Sequence, residues 1–323
     1  MKNLYYATFT QGLDSIVEKF IKKQDKKAHI KRLYNDGVVF FTDEHFPFAN
    51  TLFNDVYFVY DFSKREGYGA ANMELKHLME RKDLKIFFPK EVRKFSIHYF
   101  IEEKGSVGIN QNLRTAFETM LAKKTKKQIG FFNTDAEIIF FVLKSGDCIF
   151  GKKETRKNSE FAKITSRNEI SPQKAFALNF LSNPVEKEVS LDPFSELGMI
   201  SYVRAFSFKK ANVIANCENT ASIPEIKAKA RRLKEKSFSV MNYDFLSNKF
   251  PIRFIDKIVT VLPQSKIKQS AFFEKVYMLK VKTIVLLASR YNEMVGFARE
   301  YYNITDTFVL KDEKIYKLEL KKD

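Results

Sequence analysis

Apolar positions along the chain recur with two periods, and the switches between them mark out the elements. Asn3 to Phe9 is a short β-rich run, and Leu13, Ile16, Val17, Phe20 and Ile21 then fall at helical spacing within Leu13 to Lys23. His29 to Thr42 reads as a hairpin turning at Asn35-Asp36-Gly37, because Asp-Gly tolerates the positive φ angles of a tight connection. Phe48 to Phe62 continues as an apolar, aromatic stretch. The first segment is therefore predicted as a small α+β unit.

Ser63 to Gly69, with two basic residues and two glycines, reads as a surface connection, which puts a boundary near residue 65. Beyond it the pattern predicts a short helix over Asn72 to Arg81, a strand over Lys94 to Glu102 and a helix over Asn110 to Lys124. A strand over Ala136 to Lys144 follows, with Ser145-Gly146-Asp147 turning into Cys148 to Lys152. After the polar linker Arg156 to Glu169, helix and strand alternate. The predicted helices are Pro172 to Leu181, Met199 to Phe206, Pro224 to Lys236 and Ala271 to Leu279. The predicted strands are Val189 to Pro193, Asn212 to Asn216, Phe238 to Asn242, Asp256 to Leu262 and Thr283 to Ala288. Such alternation implies a mostly parallel α/β sheet, closed here by an antiparallel hairpin of Thr307 to Leu310 and Lys314 to Leu320. The expected domains are 1–64, 65–157 and 158–323.

Composition narrows the function classes. A chain of 323 residues with 45% apolar residues and 33 Phe has material for two or three cores and is not an extended disordered protein. Fifty-six Lys and Arg against 39 Asp and Glu leave a surplus of +17, which suits a polyanion whose counterions are released on contact. Nucleic acid is the expected partner. Three basic runs are candidate phosphate tracks: Lys22, Lys23, Lys26, Lys27, Lys31 and Arg32; Lys123, Lys124, Lys126 and Lys127, with Arg156 and Lys157 beyond them; and Lys227, Lys229, Arg231, Arg232, Lys234 and Lys236. Taken singly, a run of lysines is usually a solvated face, and the net surplus shifts the reading toward contact. No apolar stretch approaches the ~18 to 20 residues that span a bilayer, and Met1 to Tyr5 enters an amphipathic pattern without an apolar signal core, so a cytoplasmic protein with no membrane partner is expected. Two cysteines, Cys148 and Cys217, and four histidines at unpaired spacing predict neither a disulfide framework nor a metal site.

Motifs bring a family into view. Leu191-Asp192-Pro193-Phe194-Ser195-Glu196-Leu197-Gly198-Met199 resembles the Asp-Pro-Phe-x-Gly-Ser-Gly loop of class I, S-adenosylmethionine-dependent base-amine methyltransferases, and it lies between a predicted strand and helix. Arg167-Asn168-Glu169-Ile170-Ser171-Pro172 resembles the segment these enzymes place before their first strand. Tyr5-Tyr6-Ala7-Thr8-Phe9-Thr10-Gln11-Gly12-Leu13 is similar to the start of the ferredoxin-like domain that accompanies THUMP. Asn133-Thr134-Asp135-Ala136-Glu137-Ile138 is similar to the Pro-Asp-x-Glu element of THUMP itself. The order is colinear over nearly the whole chain. The resemblance implies an N-terminal ferredoxin-like plus THUMP module, an RNA-binding part, followed by a Rossmann-like methyltransferase domain. It also implies methyl transfer from S-adenosyl-L-methionine to guanine N2 or adenine N6 of tRNA or rRNA, with Asp192, Phe194, Ser195, Gly198, Glu218 and Asp244 nearest the cofactor.

Departures from that pattern fall where the chemistry would occur. Glu196 stands at the first glycine position of the loop, and Gly198 alone matches a glycine. Cys217 takes the place of the ribose-binding acid, with Glu218 beside it, while Asp244 matches the acid or amide near the adenine amine. Where the family has Asp or Asn, Pro, Pro and an aromatic residue, this chain reads Val261-Leu262-Pro263-Gln264, so the acceptor for the base amine and the stacking ring are both missing. Their loss costs on the order of several kcal/mol of transition-state stabilisation. The expectation is an RNA-binding protein whose methyl transfer is impaired or lost. The alternative is a non-enzymatic RNA-binding or protein-interaction scaffold with a vestigial methyltransferase domain. On that view the loop from Asp192 to Gly198 survives for folding, Glu218 and Asp244 are turn or cap residues, and Pro263 ends a strand.

Overall fold

The computed structural model describes residues 3–43, 51–65, 67, 69–102, 108–155, 161, 165–166, 169–208, 212–233, 238–290 and 294–321. Its N-terminal half is β1 (Asn3–Phe9), α1 (Asp14–Gln24), β2 (His29–Leu33), β3 (Gly37–Thr42), β4 (Phe53–Lys64), α2 (Ala70–Glu80), β5 (Lys94–Ile101), α3 (Gln111–Thr125), β6 (Gln128–Ile129), β7 (Ala136–Val142) and β8 (Asp147–Lys153). These eight strands form one sheet in the order β2-β3-β1-β4-β8-β7-β5-β6. It runs unbroken past residue 64, because β4 pairs antiparallel with β8 from Tyr57 opposite Lys153 to Lys64 opposite Asp147. The helices form for local reasons. α1 buries Ile16, Val17, Phe20 and Ile21 at the spacing that fixes its inner face. α3 starts where the Asn110 side chain accepts from the Asn112 and Leu113 amides, and it ends at Lys126 in the left-handed conformation.

The first hairpin forms as expected, but its glycine serves another purpose. Neither Asp36 nor Gly37 has positive φ, and the Tyr34 amide closes the turn on the Gly37 carbonyl at 2.7 Å. A Cβ on Gly37 would lie 2.8 Å from the Tyr6 ring, so close packing of that ring on the backbone requires the glycine.

The C-terminal half is α4 (Pro172–Leu181), β9 (Val189–Asp192), α5 (Met199–Ser207), β10 (Asn212–Asn216), α6 (Ile223–Leu233), β11 (Phe238–Met241), β12 (Lys257–Val261), α7 (Lys266–Met278), β13 (Thr283–Ser289), α8 (Val295–Tyr301), β14 (Tyr302–Val309) and β15 (Glu313–Leu320). Its seven strands lie in the order β11-β10-β9-β12-β13-β15-β14. Neighbours from β11 to β13 are parallel, and β15 pairs antiparallel with both β13 and β14. The chain is thus a mixed α/β protein of two sheets, the second Rossmann-like and closed by the expected antiparallel hairpin. Among the elements that depart from the sequence reading, β14 begins at Tyr302 rather than Thr307. β6 has two residues and α8 seven, too short for a periodic signal. α7 begins at Lys266 rather than Ala271, because the Ser265 hydroxyl accepts from the Lys268 amide.

The two halves share a core. Phe20 of α1 meets Phe176 and Phe180 of α4 edge-on, with ring centroids 5.5 and 5.4 Å apart. Lys19 pairs with Asp306 at 2.8 Å. Gly12, at φ +90°, holds the chain so near Leu310 that a Cβ would sit 3.0 Å from the Leu310 Cα. Among the described residues no helix is long and apolar enough to cross a membrane, and no group of three or more His, Cys, Asp or Glu is arranged to hold a metal.

Candidate functional site

Chain order reverses at β9, which has β10 on one side and β12 on the other. In open α/β sheets the crevice outside the carboxyl ends of the strands at such a point is where ligands sit. Here it holds two adjoining cavities of about 400 and 590 Å³. Both are lined by Phe194, Glu196, Val261, Leu287 and Glu313. The smaller reaches toward Glu169, Lys174 and Gly198, and the larger toward Cys217, Glu218, Gln264 and Lys268.

Asp192 ends β9 and is buried. Its Oδ1 accepts from the Thr260 hydroxyl at 2.7 Å, and burial pushes its carboxyl up to about 7 despite that bond. Phe194 is half-buried and packs against Phe245 and Phe272. The Ser195 amide donates to the Asn216 carbonyl at 2.9 Å, which fastens the loop to the end of β10. Glu196 projects outward between the two cavities. Gly198 starts α5 at φ +87°, and a Cβ there would meet the Ile226 side chain at 2.9 Å. The conformation and the packing of α6 account for this glycine without a ligand.

The remaining sequence-derived positions are engaged in other ways. Cys217 is buried, with its Sγ donating to the carbonyls of Asn219 (3.2 Å) and Glu196 (3.7 Å), and burial raises its thiol pKa. Glu218 is exposed at the cavity wall and pairs with Lys268 at 3.2 Å. Asp244 lines neither cavity, and its Oδ1 accepts from the Leu246 amide in a turn. Val261 is 39% exposed at the end of β12 and faces both cavities. Leu262 is buried, its amide held by the Leu287 carbonyl, and Pro263 offers its carbonyl to the Gln269 amide at 2.7 Å. Gln264 is exposed one residue before the Ser265 cap, so the connection between β12 and α7 is only the four residues 262–265.

Two residues were not legible as site builders. Asn216, fully buried, donates to the carbonyls of Pro193 and Tyr243 at 3.0 Å and accepts from the Tyr243 amide, tying together the ends of three strands. Lys229, read from sequence as part of a basic RNA-facing run, is instead buried. It binds both Glu169 oxygens and the Leu197 carbonyl at 2.7 Å and so anchors the loop that carries Glu196. Glu169, sixty residues away, decides its orientation.

The chemistry of the donor set can be weighed against S-adenosylmethionine. The glycine approach is taken by Glu196, the ribose acid by a thiol already bonded to carbonyls, Glu218 by Lys268, and Asp244 by its own turn. As a set these side chains do not fit the cofactor in the way the resemblance implies. The cleft is also acidic: Glu169, Asp192, Glu196, Glu218, Asp312 and Glu313 line it against Lys174, paired with Glu313, and Lys268.

Basic surface lies elsewhere. Lys123 and Lys124, with Arg81 and Lys82, line a groove of about 950 Å³ between α3 and α2, and Lys126 and Lys127 follow at the sheet edge. Arg156 and Lys157 lie outside the described residues. Of the first basic run, Lys22 pairs with Glu18 and Lys31 sits 4.4 Å over the Phe62 ring.

No family model and no curated protein matches the chain. Solved structures do. TrmN from Thermus thermophilus shares 13% identity at a TM-score of 0.77, covering 99% of this chain and 100% of that one. SMU.472, in complex with SAH, shares 12% at 0.73 and covers 100% and 99%. A predicted N6-adenine-specific DNA methylase from Listeria monocytogenes shares 11% at 0.69 and covers 98% and 96%. Both halves therefore have the full-length fold of proteins described as methylases, and one protein of that fold carries SAH in its crystal structure.

Proposed function

We propose that this chain is an RNA-binding protein of the THUMP methyltransferase type, with a THUMP-like N-terminal half that holds tRNA or rRNA. Its C-terminal domain keeps the methyltransferase architecture as a scaffold and no longer methylates a base amine. One observation carries the reading: at the end of β12, Val261-Leu262-Pro263-Gln264 brings no side-chain acceptor at the first position and no ring at the last, and α7 follows at once. The acidic, self-paired cleft supports it, since phosphates are repelled there and drawn to the lysines of the other half.

Calorimetric titration with S-adenosylmethionine and S-adenosylhomocysteine tests the reading. Neither ligand should saturate the protein in the micromolar range, whereas a structured RNA should bind with log K falling linearly against log salt. Micromolar cofactor affinity accompanied by methyl transfer to RNA would overturn the loss of activity, and salt-insensitive or absent RNA binding would overturn the RNA assignment.

A further inference from the structure

Two phenylalanines stand out at the edge of the N-terminal sheet. Phe131 and Phe132 are 74% and 82% exposed, on the turn between β6 and β7. Exposed neighbouring rings of this size are unfavourable in water unless something covers them. The turn that carries them is fixed to the sheet. Gly130 donates to the Phe95 carbonyl at 2.9 Å, and Asp135 donates to the Lys94 carbonyl at 2.8 Å. Asp135 Oδ2 also accepts from the Arg93 and Lys94 amides at 2.8 and 3.0 Å, and the Ser96 and Thr134 hydroxyls meet at 3.2 Å. Lys94 runs across Gly130, where a Cβ would collide with its Cε, and donates Nζ to the Phe132 carbonyl at 3.0 Å. Asn133 completes the turn at φ +50°. The backbone beneath the rings is thus held before any partner arrives, which lowers the ordering penalty of binding.

The charge around the rings selects the partner. Lys126 and Lys127 immediately precede β6, Lys123 and Lys124 lie in the last turn of α3, and Arg93 precedes and Lys94 opens β5, which is paired with β6. Asp135, the acid within the turn, spends one carboxylate oxygen on two backbone amides. Aromatic rings raised within a field of lysines meet the two requirements of an unpaired nucleic-acid strand: π-faces for its bases and cations for its phosphates. An acidic protein would use the lysines but gain little from two bare rings.

We infer that Phe131 and Phe132 form a stacking platform for unpaired nucleotides of the bound RNA, with Lys126 and Lys127 on the adjoining phosphates. The inference rests on the RNA-binding reading above and assigns its base-contacting residues. The test compares an RNA hairpin carrying a short unpaired tail with the same hairpin blunt-ended. Wild type should prefer the tailed RNA by about tenfold or more, and Phe131→Leu with Phe132→Leu should abolish that preference while leaving blunt binding and its salt slope unchanged. A 2-aminopurine in the tail should be quenched on binding wild type and not on binding the double variant. Equal affinity for the two RNAs, or full retention of preference and quenching in the variant, overturns the platform and leaves the rings to a protein partner. Absence of salt-dependent binding to either RNA overturns the RNA-binding reading, and the platform with it.

Discussion

The ends of the parallel strands in the C-terminal sheet and the β6 edge of the N-terminal sheet use charge in opposite ways. At the strand ends, carboxylates outnumber lysines, and Lys174, Lys229 and Lys268 are bound to Glu313, Glu169 and Glu218. Toward the β6 edge Lys123, Lys124 and Lys126 are exposed, and Phe131 and Phe132 on the following turn are uncovered. A net charge of +17 therefore says little about the cleft at which a methyltransferase fold would present its reactive atoms. Lysines of the cleft are held by carboxylates, whereas Lys94 and Lys124 near the edge are held, among the described residues, only by backbone carbonyls.

The sharpest way to break this contrast is Lys229→Met. It leaves Glu169 buried without its cation, so unfolding in urea should show a loss of about 3–5 kcal/mol, with RNA affinity of the folded protein unchanged. A drop in affinity without a drop in stability would return Lys229 to the RNA surface.

Asp192 gives the next effect. Its carboxyl lies near 7 in the folded protein against an ordinary 3.8, so the folded state holds the proton more tightly than the unfolded chain. This group's stabilisation is complete below about pH 4 and is lost as pH rises through 7. At ~1.4 kcal/mol per unit the change is on the order of 4 kcal/mol. Asp192→Asn, which resembles the protonated acid, should lack this fall in a pH series of unfolding curves. An identical pH profile in both proteins would show the carboxylate to be ionised in the folded state.

Gly198→Ala should cost about 1–2 kcal/mol through positive φ and the clash with Ile226. An unperturbed melting temperature would mean that the glycine is not required by the fold. Smallest in energy, Lys126→Gln with Lys127→Gln should lower the log–log salt slope of RNA binding by about 1–2, whereas Glu196→Gln should leave it unaltered.

Long, strongly patterned elements were legible in the sequence. β1, α4 and β10 have the bounds that hydropathy predicts, and the parallel sheet follows from the alternation of helix and strand. Asp192, Ser195, Cys217 and Val261, singled out by the colinear motifs, line the two adjoining cavities. What the sequence could not convey were properties set by distant partners. Lys229 looks like its charged neighbours until Glu169 folds against it. Asn216 looks like any strand-end amide until three strand ends converge on it. Gly37 and Gly198 are spaced like turn and ligand glycines, yet Tyr6 and Ile226 are what occupy the space a side chain would need.

The pairing of β4 with β8 makes the N-terminal half behave as a beam. Five inter-strand steps, at ~4.8 Å each, separate β1 from β6, a span of about 24 Å. The β1 end is clamped to the other half by Phe20, Lys19 and Gly12, and the free end carries Phe131 and Phe132. An RNA gripped at that tip is set at a standoff from the crevice measured in strands, so inserting or deleting a strand, unlike lengthening a loop, would change the gauge.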